Sequence, residues 1–230
     1  MKRVLMSGLA VAVLAGAATA GEISQAIDIN ITPENGQQAF SMQGFDTMGG
    51  QRVLNAVRFH INAELSVDFA ALNYSDFAIP AGDWQAIPGF TMFFYAEPEG
   101  SGGEGDSIFA GIGGIGWDGV TGDLPAGSGN PLFGEPGRFE FSRSGSLDST
   151  MLDEGAVARN FFTSNAQIDA SLAPFSFPEV FGPPGSNISL ESLVTQTGTL
   201  TITYEYSTIP APGGVAMLGL AGFAGLRRRR

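Results

Sequence analysis

The chain has no cysteine among its 230 residues. Disulfides, thiol catalysis and thiolate metal sites are therefore excluded. The single histidine, His60, excludes any site built from several histidines of one chain. Positive charge is scarce away from the ends. Lys2, Arg3 and Arg227 to Arg230 make up six of the 11 basic residues, whereas all 23 acidic residues lie between residues 21 and 208. That middle segment carries five basic residues against 23 acidic ones, a net charge of −18. Nucleic acid is excluded as a partner, because displacing phosphate counterions needs clustered Lys and Arg. Anionic lipid is disfavoured on the same ground, while solubility and cations are favoured. No long amphipathic helix is evident in the middle. A segment of this length can bury enough core to stand without disulfides.

What is present at the N-terminus reads as an export signal. Lys2 and Arg3 supply a positive region, Val4 to Ala17 is uncharged and mostly apolar, and Ala18-Thr19-Ala20 is a small-x-small cleavage pattern. The expected cut by signal peptidase follows Ala20, with Ala18 and Ala20 filling its small pockets. At the other end, Ile209-Pro210-Ala211-Pro212-Gly213 breaks the chain, Gly213 to Leu226 is apolar, and Arg227, Arg228, Arg229 and Arg230 close it. Four arginines resist translocation and remain cytoplasmic. As a helix, the fourteen residues from Gly213 to Leu226 cover about 21 Å, short of a ~30 Å hydrocarbon core. Such a helix predicts a transient membrane anchor rather than a permanent one. An ordinary tail anchor is the plainer alternative.

The tail resembles a PEP-CTERM sorting signal, which bacterial exosortases recognise and cut near the proline motif. Pro210-Ala211-Pro212 stands where the commonest family form has Pro-Glu-Pro. The resemblance covers about a tenth of the chain. It implies an exosortase-like processing enzyme as a partner, and a destination at the cell surface or beyond it.

Between the ends, the clearest period is two. Val57, Phe59, Ile61, Ala63, Leu65, Val67 and Phe69 alternate with Arg58, His60, Asn62, Glu64, Ser66 and Asp68. This is a strand with one buried and one wet face. Thr199 to Tyr206 repeats the pattern with β-branched and aromatic residues. Shorter candidates are Ala26 to Ile31, Phe90 to Tyr95, Arg138 to Phe141 and Ile188 to Leu193. Ala156 to Thr163 suits either a strand or a helical turn. Abundant Gly and Pro punctuate these segments. The expectation is an all-β chain: a single antiparallel β-sandwich, jelly-roll-like, over residues 21–208, flanked by a signal peptide over 1–20 and a sorting tail with a short apolar helix over 209–230. Ala96 to Pro131 reads as one long irregular loop, glycine-rich and acidic.

Within the middle, Phe45-Asp46, Gly50, Leu54-Asn55-Ala56-Val57 and the closing Gly198-Thr199-Leu200-Thr201-Ile202-Thr203-Tyr204-Glu205-Tyr206 resemble the choice-of-anchor E domains. These are secreted bacterial domains set before varied surface-sorting signals. The resemblance implies an extracellular β domain and carries no catalytic residues.

Candidate chemistry is sparse. Gly102-Gly103-Glu104-Gly105-Asp106 is similar to a Ca²⁺-binding glycine-aspartate turn, but single and out of register. With Asp118 and Asp123 it is the candidate Ca²⁺ set, and Glu97 and Glu99 lie close by in sequence. The alternative is a solvated acidic loop. Trp84 and Trp117, with Tyr74 and Tyr95, are candidates for stacking on carbohydrate, with core packing as the default. His60 reads as a surface histidine without a nucleophile element. Asn73-Tyr74-Ser75 and Asn187-Ile188-Ser189 match the glycosylation triplet, without expected consequence in a bacterium. No motif places a nucleophile or a carboxylate pair, so a secreted hydrolase is the weakest reading and no enzyme is expected. No cofactor is expected beyond the candidate Ca²⁺. The expected role is structural or interactive, with extracellular polysaccharide as a partner class.

Overall fold

The computed structural model describes residues 19–99, 107–128, 136–164 and 166–209. In chain order the elements are β1 (Ala20–Ile31), β2 (Gln38–Gln43), β3 (Arg52–Asn73), β4 (Gln85–Ile87), β5 (Gly89–Pro98), β6 (Ile108–Gly116), β7 (Gly137–Asp153), α1 (Ala156–Ser164), β8 (Gln167–Ser176), β9 (Glu179–Phe181) and β10 (Ile188–Thr208). The chain is predominantly β, and its ladders are antiparallel.

The alternation from Val57 to Phe69 is the centre of the 22-residue β3. Every apolar position in it is buried. A register shift against Glu205 and Tyr206 changes the phase at Asn55, so Leu54 and Val57 both face inward. β3 pairs along its length with β10 on one side and over Val57–Asn73 with β7 on the other, while β1 covers the outer edge of β10. This first sheet has the order β1-β10-β3-β7. The second has the order β2-β8-β5-β6, and β4 and β9 form a small third ladder.

The two four-stranded sheets pack face to face as a β-sandwich. Between them Phe59 meets Phe94 at 4.9 Å and Phe162 at 6.1 Å, and Phe162 meets Tyr204 at 5.7 Å. Phe162 comes from α1, which buries Ala158, Phe161 and Phe162 against this core. Burying large rings removes the most apolar area per residue, so these side chains dominate the driving force. The first sheet is longer than the second. A smaller core fills its extension, where Ala71 packs with Ile79, Trp84, Ala86 and Leu124, and with Phe139 and Val180.

The open sides of the sandwich are closed differently. At the β1–β2 side, two glutamines pair like strand backbone. Gln25 Nε2 donates to Gln43 O at 2.7 Å, and Gln43 N donates to Gln25 Oε1 at 3.0 Å. Gln38 reciprocates, accepting from Asn30 N and donating to Asp28 O, both at 2.7 Å. Edge groups that would invite another chain are thereby occupied. At the β6–β7 side, glycine allows close approach. A Cβ on Gly113 would stand 2.9 Å from Ser149 Cβ, and one on Gly145 would stand 2.8 Å from Ile115 Cδ1.

Several expectations change. Ala96 to Pro131 is not one loop, because it contains β6. The glycines of β6 serve close packing at Gly113 and a flat outer face at Gly111 and Gly114, where sequence reading takes them for turns. The candidates Ile188 to Leu193 and Thr199 to Tyr206 are one continuous strand, β10. Arg138 to Phe141 is the start of the 17-residue β7. Ala156 to Thr163 is helical. Strands β2 and β8 went unread, being short or weakly alternating. The apolar tail, the arginine block and nearly all of the segment 1–20 expected to be a signal lie outside the described residues. Among the described residues no helix is long and apolar enough to cross a membrane.

Two positions test this packing. A Cβ on Gly198 would meet Asn62 O at 2.3 Å and Ala63 Cα at 2.5 Å. Those neighbours are backbone within the central ladder and cannot yield. Gly198→Ala is expected to cost about 3 kcal/mol in denaturant unfolding, while Gly111→Ala, with ordinary 3.6 Å contacts, stays within about 0.5 kcal/mol. The second test concerns Tyr204, whose hydroxyl donates to Gln43 O at 2.7 Å. Burial pushes its phenol well above the ordinary 10.0, against a smaller opposing pull from a side-chain hydrogen bond with Gln25. The folded state resists the phenolate, so this contribution is complete below pH 10.0 and is lost as pH rises beyond it. Urea midpoints should fall above that pH. Tyr204→Phe should remove this part of the decline and cost about 1 kcal/mol at neutral pH.

Candidate functional site

The two ends of the described fold meet at one corner. Because β1 and β10 are antiparallel neighbours, Ala20 lies opposite Ser207. Thr208 N donates to Thr19 O at 2.9 Å, the two threonine hydroxyls are 2.8 Å apart, and Ile209 N donates to Gln51 O at 2.8 Å. Nearby, Asn55 and Ser207 exchange side-chain hydrogen bonds at 2.8 and 3.0 Å. Arg58 pairs with Glu205 and lies 3.9 Å from Glu22. The Arg52 guanidinium sits 4.9 Å above the Tyr206 ring, and that ring lies where a Cβ on Gly21 would be. Ala20, named from the cleavage pattern, is thus the first residue of the sheet. Ala18 lies outside the described residues, as do Pro210, Ala211, Pro212, Gly213 and Arg227 to Arg230.

The residues singled out for ligand chemistry are scattered. Trp84 is only 2% exposed, with its ring edge-on to Phe139 at 5.7 Å and Nε1 donating to Gly122 O at 2.5 Å. It belongs to the smaller core and presents no face to a sugar. Trp117, just past the end of β6, is half-buried against Phe69, and its Nε1 donates to Ser144 O on β7 at 3.3 Å. Tyr95 lies on the outer face of the second sheet, its hydroxyl donating to Glu97 at 3.2 Å. His60 lies on the wet face of β3, with Nδ1 3.0 Å from Thr150 Oγ1 and 3.8 Å from Asp148. Of the candidate Ca²⁺ set, Glu104 and Asp106 lie outside the described residues. Asp118 is exposed, and Asp123 accepts from Ala81 N at 3.0 Å within a turn. Among the described residues no group of three acidic or histidine side chains is arranged to hold a metal.

Sequence reading missed the most conspicuous surface. On the outer face of the second sheet, Phe93 stacks on Phe109 at 4.9 Å with ring planes 15° apart. Phe175 meets Phe93 at 6.1 Å, and Phe177 meets Phe175 at 6.1 Å. The rings run diagonally across β6, β5 and β8. Phe109 is 67% exposed, Phe175 56% and Phe177 48%. Small neighbours keep the face flat: Phe93 lies opposite Ala173 and Gly111, and Thr91 lies opposite Gly114. Alternation held the available signal, because Phe94 points inward and its neighbours Phe93 and Tyr95 must then point out.

No protein-family model matches the chain, and no curated protein does. Among solved structures, a cryo-EM structure of mud crab tombus-like virus aligns over 94% of this chain and 97% of its own, at 8% identity and a TM-score of 0.18. Desmodium yellow mottle tymovirus covers 92% of this chain and 98% of its own, at 9% identity and 0.16. Infectious bursal disease virus, Gx strain, covers 91% of this chain and 46% of its own, at 14% identity and 0.16. At such scores the likeness carries no argument.

The glycosylation triplet at Asn73 has a structural occupation instead. The Asn73 side chain is fully buried. Its Nδ2 donates to Phe77 O and Pro125 O, both at 2.8 Å, and its Oδ1 accepts from Ser75 N at 2.9 Å. One amide thus holds the turn that follows β3 and ties it to the remote segment at Pro125. Asn73→Ala removes the donor to two loop carbonyls and the acceptor for the buried Ser75 amide, and is expected to lower stability by about 2 kcal/mol in thermal or urea unfolding.

Proposed function

We propose that this chain is an exported bacterial surface or extracellular-matrix protein, with a structural or interactive role rather than a catalytic one. In this reading residues 1–20 direct export and are removed by signal peptidase, and residues 209–230 are a PEP-CTERM-like tail cut by an exosortase-type enzyme. Residues 21–208 are the delivered domain. The observation that carries it is the shared corner of the chain ends. An exported domain with a leader on one side and an anchor on the other is held to the membrane by both, so its ends must reach the same surface. Here they leave the sheet side by side, at Ala20 and Thr208. The net charge of −18 between residues 21 and 208 supports an aqueous rather than a membrane-bound destination for the domain.

The strand order supports a jelly-roll reading of the sandwich. With the three-residue strands β4 and β9 set aside, the remaining eight run 1-8-3-6 in one sheet and 2-7-4-5 in the other. This is the order produced when a long antiparallel ribbon, its tip between β5 and β6, winds into two Greek keys. The choice-of-anchor E resemblance supports the same destination.

The intact mass of the protein from its own host, after separation of membrane, surface and medium, tests the sorting. The expected species lacks residues through Ala20 and ends near Pro210 to Gly214. A membrane-bound species with its tail intact would overturn the exosortase reading in favour of an ordinary anchor.

A further inference from the structure

The diagonal of Phe93, Phe109, Phe175 and Phe177 has no role in holding the two sheets together, since it lies on the face turned away from the core. Exposed large apolar side chains scattered singly need no explanation, but four rings in mutual contact form a patch. We propose that this face binds a neutral polysaccharide chain, laid flat across the rings. The proposal deepens the interactive role above and rests on that reading for the polymer's whereabouts.

Charge decides against other partners first. The five basic residues between 21 and 208 lie elsewhere: Arg52 and Arg58 on β3, Arg138 and Arg143 on β7, and Arg159 on α1. The face therefore offers no cation to a phosphate, sulfate or uronate group. At its β5–β8 end, Glu97 lies opposite Asp169, which repels polyanions further. A second copy of the chain is also a poor occupant. A fully buried aromatic side chain covers ~150–250 Å², so these four rings, three of them about half exposed and Phe93 less so, offer on the order of 400 Å². A stable dimer interface buries about 800 Å² per partner. Two such domains would also bring −18 against −18.

Shape and chemistry favour a sugar polymer. The rings lie on a surface levelled by Gly111, Gly114 and Ala173. Pyranose rings present one flat face of C–H groups that packs on an aromatic face, while their hydroxyls project sideways. Acceptors and hydroxyls stand where those would reach. Tyr95 lies between Phe109 and Ser171 in the adjoining row, with Glu97 and Asp169 in the next one. Successive ring contacts at 4.9 and 6.1 Å let one extended chain touch several rings at once, so weak contacts add along its length.

The test uses the mature protein as its host releases it, alongside Phe109→Ala/Phe175→Ala and Phe109→Tyr variants. Depletion from solution is measured on washed microcrystalline cellulose, on insoluble chitin and on the host's own neutral exopolysaccharide, with alginate beads as the anionic comparison. Depletion by a neutral polymer is expected, weakened about tenfold or more in the double alanine variant at unchanged melting temperature, and retained in the tyrosine variant. No depletion by any of the three neutral polymers overturns the proposal, as does depletion by alginate alone. Depletion undiminished in the double variant places binding elsewhere and overturns the site. A dimer in sedimentation velocity that the double variant dissolves makes the face a self-interface and overturns it too. A correctly truncated mass without depletion ends this inference and leaves the sorting reading intact; an intact tail with depletion does the reverse.

Discussion

The ladder between β3 and β10 is the constraint on which the rest of the structure depends. It runs from Ile188 opposite Asn73 to Thr208 opposite Arg52, broken once by the shift at Glu205 and Tyr206. Its inner face supplies the floor of both cores: Phe59, Ile61, Ile202 and Tyr204 below the second sheet, and Ala71 with Ile188 and Leu190 below the smaller roof. The close approach at Gly198 sets the separation of the two backbones near its middle. Because its strands are separated by more than a hundred residues of sequence, closing this ladder carries a high loop-entropy cost. Everything nested between them must be compatible with it.

Around this floor, polar groups do the sealing that apolar packing does not. Gln25 and Gln38 occupy edge backbone at one side, Asn73 gathers loop carbonyls at one end, and Tyr204 reaches across to Gln43 from inside the core. Each is an amide or hydroxyl standing in for a backbone partner, which is the way a chain without cysteine joins segments remote in sequence. The outer face of the second sheet is the exception to this economy. There apolar rings remain in water although the fold does not need them, and that contrast is what makes the face worth a functional reading.

The legible parts of the sequence were those where a local period decides the outcome. Val57 to Phe69 and Thr199 to Tyr206 alternate so regularly that only a half-buried strand satisfies them, and the all-β character follows. The illegible parts depend on partners distant in the chain. Glycine in β6 carries the same local signal as glycine in a turn. Only the approach of Ser149 and Leu147 to Gly113 shows that close packing is its purpose. Trp84 is indistinguishable in sequence from a sugar-stacking tryptophan until Phe139 and the carbonyl of Gly122 enclose it. Likewise Phe93 and Phe94 carry equal hydrophobicity, and the pleat alone sends one outward. Of the candidate Ca²⁺ residues, Asp123 turned out to hold a turn, a role that no composition argument can assign.

The side-by-side exit of the chain ends also fixes how the domain bears a load. Force applied between the two ends would peel β1 from β10 one rung at a time, the weakest way to strain a ladder, because each hydrogen bond meets the full load alone. A chain freed at its N-terminal end has no such lever. Force entering along the tail would then run down the axis of β10, bonded to β1 on one side and β3 on the other, and many rungs would share it in shear. Removal of a leader at Ala20 would thus turn a sheet that unzips into one that holds.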